Sequence, residues 1–143
     1  MKRQDRYPDT KWFSFYNANA KNKFGADCVV RALCTGLKQG WEETIRELTE
    51  VGIEKGYVLN DTHAYKEYLK RKGYLMKKQP RKYDNTKYTG KEFCELCKRK
   101  KWKRVIAHIG GHHIVAVVDY KILDIWDSTN GCIGNFWVIR YDA

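Results

Sequence analysis

Proline is nearly absent, with 2 residues in a chain of 143, and no apolar stretch is long enough to cross a bilayer. The longest unbroken apolar run, Ile114 to Val118, falls far short of the ~20 residues a spanning helix needs, so no membrane association is expected. Met1-Lys2-Arg3-Gln4-Asp5-Arg6 leads into no apolar region, so no secretory leader is expected. No Walker loop, GxGxxG element or HExxH pair is present, which leaves nucleotide and zincin chemistry without support, and no metal or cofactor is anticipated. The 5 cysteines are odd in number and follow no export signal. Reduced thiols in a cytoplasmic protein fit that count better than a disulfide framework. Hydrophobic residues make up 43% and aromatics 14%, which excludes a disordered tail or a collagen-like chain. Residues 1–143 are expected to form one domain with a buried core.

The formal charge of +11 is unevenly placed. Between Lys66 and Arg104 there are 16 Lys/Arg against 4 Asp/Glu; the rest of the chain has 12 against 13. The whole excess therefore lies in the middle. A solvated basic face is one reading, and a contact surface for nucleic acid or an acidic partner is the other.

Local patterns predict helices first and strands afterwards. Residues 1–24 are polar and aromatic without a sustained period and read as an arm across the domain. Apolar positions 29, 30, 33 and 37 suit a helix starting near Cys28, with Asp27 as its cap and Gly36 as a stop. Trp41, Ile45, Leu48 and Val51 share one face of a second helix reaching about Glu54. Thr62 is placed to cap a third, ending at Gly73. Residues 77–88, rich in Lys and Arg with Pro80 inside, read as loop. Thr89 and Glu92 form a capping box for a helix to about Lys100. Four β-rich runs follow: 105–109, 113–118, 122–126 and 136–141, the last ending at Tyr141. The expected class is α+β, with N-terminal helices packed on a C-terminal antiparallel sheet.

One constellation can carry chemistry. A cysteine at a helix N-terminus gains thiolate character from the helix dipole, and Arg31 one turn on adds to it, while Asp27 opposes it. Such a thiolate needs a histidine, and the histidine needs an orienting group. His113 opens a strand after a double glycine, where a side chain can emerge at a sheet edge. His112 adjoins it and points to the opposite face, and strand parity alone does not choose between them. A three-residue turn at 119–121 sets His113 opposite Asp127, and a two-residue turn at 120 and 121 sets it opposite Ser128, next to Asp127. Both registers favour Asp127 as the orienting acid, with Asp124 the fallback, about 10–13 Å away along the strand.

The segments Gly25-Ala26-Asp27-Cys28-Val29-Val30-Arg31-Ala32-Leu33, Gly111-His112-His113-Ile114-Val115-Ala116-Val117-Val118 and Asp124-Ile125-Trp126-Asp127 together resemble the papain-like cysteine peptidases, especially their compact bacterial and phage branch. The likeness spans roughly Asn17 to Leu37 and Val105 to Asp127 and leaves the basic middle unmatched. It implies a papain-like fold, with Cys28 as nucleophile, His113 as general base and acid, and Asp127 as the group that fixes the imidazole. The family's oxyanion-hole Gln stands six positions before the cysteine, where this chain has Asn22, whose amide could donate alongside the Cys28 backbone N–H. The implied chemistry is acyl transfer on a protein or peptide amide, with transamidation and deamidation using the same three groups. The implied setting is a bacterial cell, with the gene carried by a phage or mobile element.

Competing readings exist for the same residues. Cys28 alone packs well as a small hydrophobe, and Trp126 suits a core. His63 and His108 are expected to be structural or exposed. Cys94-Glu95-Leu96-Cys97 has CxxC spacing but sits in a continuous helix without a second pair, so helix packing is favoured over zinc. Cys34 and Cys132 carry no chemical signal. The second functional class is a non-catalytic protein of the same scaffold, gripping nucleic acid or an acidic protein through its basic 66–104 surface. The classes can coexist, because a basic segment beside a cleft can select an acidic substrate.

Overall fold

A computed structural model describes residues 1–140. A short helix α1 (Arg3–Arg6) and strand β1 (Phe13–Phe15) precede three helices, α2 (Cys28–Leu37), α3 (Trp41–Lys55) and α4 (Thr62–Arg71). Strand β2 (Tyr74–Lys77) and helix α5 (Gly90–Lys100) follow, and then β3 (Arg104–Ile109), β4 (His113–Val118), β5 (Lys121–Asp124) and β6 (Ile133–Ile139). Tyr141, the expected end of the last strand, lies outside the described residues.

The four longer helices form where apolar spacing and capping chemistry put them. Thr89 and Glu92 close the expected box at the start of α5, each side chain accepting the other's backbone N–H. Asp61, not Thr62, caps α4 by accepting the His63 N–H at 2.8 Å. Helix α2 runs through Gly36 and stops one residue later, with Lys38 in the left-handed region (φ 58°). Gly36 serves packing instead of termination: a Cβ there would lie 2.7 Å from Ile106 Cγ1, so only glycine lets α2 approach the sheet this closely.

The six strands form one sheet in the order β1-β5-β4-β3-β6-β2. It is mixed, not antiparallel throughout, because β1 pairs parallel to β5. It is not confined to the C-terminal part either, since β1 and β2 come from before the basic helix α5. Both are too short for a period-two pattern to stand out. Phe13 nonetheless buries completely, and Tyr74, the one buried residue of β2, packs at the opposite edge.

Helices cover both faces, so the α+β domain has a core on each side of the sheet. Val29, Leu33, Leu48, Tyr65, Leu69, Ile106, Ile114 and Trp137 pack on the α2–α4 side. Phe93, Cys94, Cys97, Val105, Val115, Ile122 and Phe136 pack on the α5 side. Fully burying a Leu- or Phe-sized side chain contributes about 1.5–3 kcal/mol, and these two clusters clamp the central strands β4 and β3. The clamp fixes the N-terminus of α2 against the start of β4. No helix among the described residues is long and apolar enough to cross a membrane.

Candidate active site

Cys28 is the first residue of α2 and lines a cleft of about 310 Å³ together with Tyr65, His108, His112, His113 and Ile114. Asp27 occupies the N-cap position, yet its carboxylate does not cap the helix. It accepts instead from Asn19 Nδ2 at 3.0 Å, Arg31 Nε at 2.9 Å and Trp41 Nε1 at 3.0 Å. Burial works against that charge, but these donors outweigh it and hold the carboxyl below its usual range. The first-turn N–H groups of α2 are thereby left without a side-chain acceptor, beside the sulfur.

His113 begins β4 directly after the Gly110-Gly111-His112 turn, in which both glycines take positive φ, 64° and 89°. Its Nε2 lies 2.5 Å from Asp124 Oδ2, and its ring lines the cleft beside the Cys28 thiol, with Nδ1 the nitrogen that Asp124 leaves unengaged. The other oxygen of Asp124 accepts from Arg31 Nη1 at 2.5 Å and from the Ile125 N–H at 2.7 Å. A continuous array therefore runs from Asp27 through Arg31 and Asp124 to His113, which stands beside Cys28. Arg31 is 6% exposed and Asp124 3%, so the centre of the array lies out of water while its His113 end opens on the cleft. Trp126 covers the imidazole, with ring centroids 4.9 Å apart.

The electrostatics of this array favour charge separation. The neighbouring His113 imidazole lowers the Cys28 thiol from its ordinary value and outweighs burial, with Arg31 assisting. Burial opposes the imidazolium, but the bonds to Asp124 and Cys28 raise His113 to about 9. The same contact thus moves a proton preference from sulfur to imidazole. Burial pushes Cys34 up to about 11 and Cys94 up to about 12, and raises Cys97 as well.

The acid beside His113 is Asp124, and the expectation of Asp127 is corrected. Asp127 accepts from the N–H and hydroxyl of Thr129, at 2.9 and 2.5 Å, closing a local turn. The error lay in the register. The β4–β5 loop consists of Asp119 and Tyr120, both at positive φ, so Val118 pairs with Lys121 and Ala116 with Leu123. One further step along the ladder sets Asp124 opposite Val115, two residues and about 7 Å from His113 along the strand. A histidine and an aspartate side chain bridge that offset. Arg31, in the first turn of α2 and in no obvious motif for a sheet contact, supplies the second hold on the carboxylate.

Asn22 is exposed, sits at φ 56°, and accepts from Asn17 Nδ2 at 3.4 Å; it is not among the residues lining the cleft. His112 is exposed at the cleft rim, while His113 is the histidine that faces Asp124. His108, expected to be structural or exposed, lies in the cleft wall and shares a 2.6 Å hydrogen bond with the Tyr65 hydroxyl. Its pairing with Ile114 in the β3–β4 register is the signal that places it beside His113. Burial alone lowers its basicity, and burial raises that of Tyr65, so a neutral pair flanks the thiol. Cys94 and Cys97 are both fully buried in the core and belong to helix packing. Among the described residues no group of three or more His, Cys, Asp or Glu side chains is arranged to hold a metal ion.

Comparison with known proteins returned no match to a family model, a curated protein or a solved structure.

Proposed function

We propose that the protein is a cysteine peptidase or amidase of papain-like fold, with Cys28 as nucleophile, His113 as acid and base, and Asp124 as the residue that orients the imidazole. The observation that carries this reading is the single imidazole held between a carboxylate and a lowered-pKa thiol at a helix N-terminus. Burial raises the pKa of a structural cysteine, as it does for Cys34, Cys94 and Cys97; Cys28 departs in the opposite direction.

The proposed reaction begins with thiolate attack on an amide carbonyl carbon. A C–S bond forms and the carbonyl π pair moves onto oxygen, where uncapped first-turn N–H groups of α2 stabilise it. His113 gives its Nδ1 proton to the leaving nitrogen as the C–N bond breaks, and an amine departs. The thioester is then attacked by water, whose proton His113 takes. Collapse expels the Cys28 thiolate, the acid leaves, and the imidazolium–thiolate pair is restored. Throughout, Asp124 keeps Nε2–H occupied, so that Nδ1 is the nitrogen that exchanges protons with the substrate. With Asn22 absent from the cleft lining, the oxyanion donors of this reading fall to the α2 backbone.

Digestion of a proteome-derived peptide library, with product termini read by mass spectrometry, tests this. Wild-type protein should generate new termini that the Cys28→Ala and His113→Ala proteins do not. Equal cleavage by Cys28→Ala, or no new termini from the folded wild-type protein, would overturn it.

A further inference from the structure

The cleft at Cys28 does not end at His108. A second depression of about 530 Å³ begins there, sharing His108 and Gly111 with the first and lined further by Gln79, Lys87, Gly134 and Asn135. His108 lies flat enough between them to pack edge-on against both Tyr65 and Trp137. Gly134 flanks it: a Cβ there would meet His108 Cβ at 3.3 Å, so the missing side chain keeps this saddle low. The walls offer neutral hydrogen-bonding groups, and neither depression is lined by a carboxylate.

The far end carries charge with no counterpart. Lys87 is bridged antiparallel to Arg81, which sets two cations opposite each other on adjacent chain segments, an arrangement that is destabilising unless an anion intervenes. Arg81 donates to Gln79 Oε1 at 3.0 Å and to the Asn85 carbonyl at 3.2 Å, both neutral acceptors, and Lys87 makes no ion pair among the described residues. The neighbouring charges are engaged elsewhere. Lys82 is paired with Glu92, and Asp84 accepts from the N–H and hydroxyl of Thr86. Of the two cations, Lys87 lines the groove that leads to the thiol, and Arg81 stands beside it on the bridged segment, held to the lining residue Gln79.

We infer that this groove binds an acidic peptide segment, which crosses His108 and sets a carboxylate between Lys87 and Arg81 while its reacting carbonyl lies at Cys28. The inference rests on the peptidase reading for the role of Cys28, but the binding preference can be measured without turnover. It also assigns part of the basic middle of the chain to substrate selection.

The experiment uses Cys28→Ala protein and fluorescein-labelled octapeptides that differ in one block of side chains, Glu, Gln or Lys, with binding read by fluorescence anisotropy at 50 and 500 mM NaCl. The Glu peptide should bind at least tenfold more tightly than the Gln peptide at low salt, and the difference should collapse at high salt. Arg81→Glu/Lys87→Glu should reverse the order of the Glu and Lys peptides. Lys98→Glu/Lys100→Glu, an equal change of net charge at the exposed end of α5, should leave the order intact. Equal binding of the Glu and Gln peptides would overturn the inference, as would an equal loss in both double variants. So would a single-stranded DNA oligonucleotide that binds at this end tightly enough to displace the Glu peptide completely, which would make the groove a phosphate site. Iodoacetamide labelling of wild-type Cys28 separates the two readings: a slow thiol with charge-selective peptide binding sinks the peptidase and leaves the groove standing.

Discussion

Arg31 and His113 hold the same carboxylate by opposite oxygens: Arg31 Nη1 lies 2.5 Å from Asp124 Oδ1, and His113 Nε2 lies 2.5 Å from Asp124 Oδ2. The helix that carries the thiol thereby fixes the carboxylate that holds the imidazole, so α2 and His113 are indexed to each other through one side chain.

Asp124 and Asp127 separate cleanly by mutation. Asp124→Asn should lower peptide hydrolysis on the order of 10²-fold or more, since proton transfer by a positioned group is worth 10²–10⁴. Asp127→Ala removes the two bonds to Thr129 and should cost about 1 kcal/mol of stability with turnover retained. Steady-state rates and urea melts on both variants check this. A reversed pattern would return the orienting role to Asp127.

Alkylation should single out Cys28. At pH 6.5 iodoacetamide should label it at least tenfold faster than exposed Cys132, and Cys34, Cys94 and Cys97 should react only on unfolding. Peptide mapping after timed quenching reads the order. Labelling of Cys132 ahead of Cys28 would count against a lowered thiol.

The pH profile of hydrolysis should be a bell with its alkaline limb near 9. On that side His113 loses the proton that the leaving amine requires, and its folded value is about 9. On the acid side activity falls as the sulfur is protonated, below the range of an ordinary thiol because Cys28 is lowered. Asp124→Asn removes the bond that raises His113, so any residual activity should show its alkaline limb at lower pH. An unmoved limb would detach Asp124 from the imidazole.

Arg31→Met leaves two carboxylates, Asp27 and Asp124, without their shared cation. Breaking a buried pair by removing one partner costs about 3–5 kcal/mol, so the variant should melt well below wild type. Arg31→Lys keeps the charge but not the fork that reaches both acids, and should fall between the two. Thermal denaturation followed by circular dichroism gives the ranking; an Arg31→Lys protein as stable as wild type would show that the charge alone suffices.

Long periodic segments and capping chemistry were legible in the sequence. The spacing of Val29, Val30 and Leu33 located the helix that starts at Cys28, and Thr89 with Glu92 marked the start of α5. Strand β1 was hidden because three residues show no period, and because its partner lies at the other end of the chain. Strand parity left His112 and His113 both open, and His113 was singled out only by the resemblance to the papain-like peptidases. The choice of acid was not legible, because it depended on a loop of Asp119 and Tyr120, residues that do not advertise a two-residue turn with positive φ at both positions. Asp27 was misleading for a similar reason: its type suits a cap, but three nearby donors from Asn19, Arg31 and Trp41 compete for it.

The parallel pairing of β1 with β5 joins the earliest strand to one of the latest, and the Tyr16 N–H closes on the carbonyl of Asp124 itself. Contacts so distant in sequence form only when both segments are available. On the ribosome, Cys28 emerges with its helix long before His113 and Asp124 exist, so a nascent chain carries an ordinary thiol. On the proposed reading, reactivity arrives only once β4 and β5 have been made and paired, so a shorter nascent chain does not attack its neighbours.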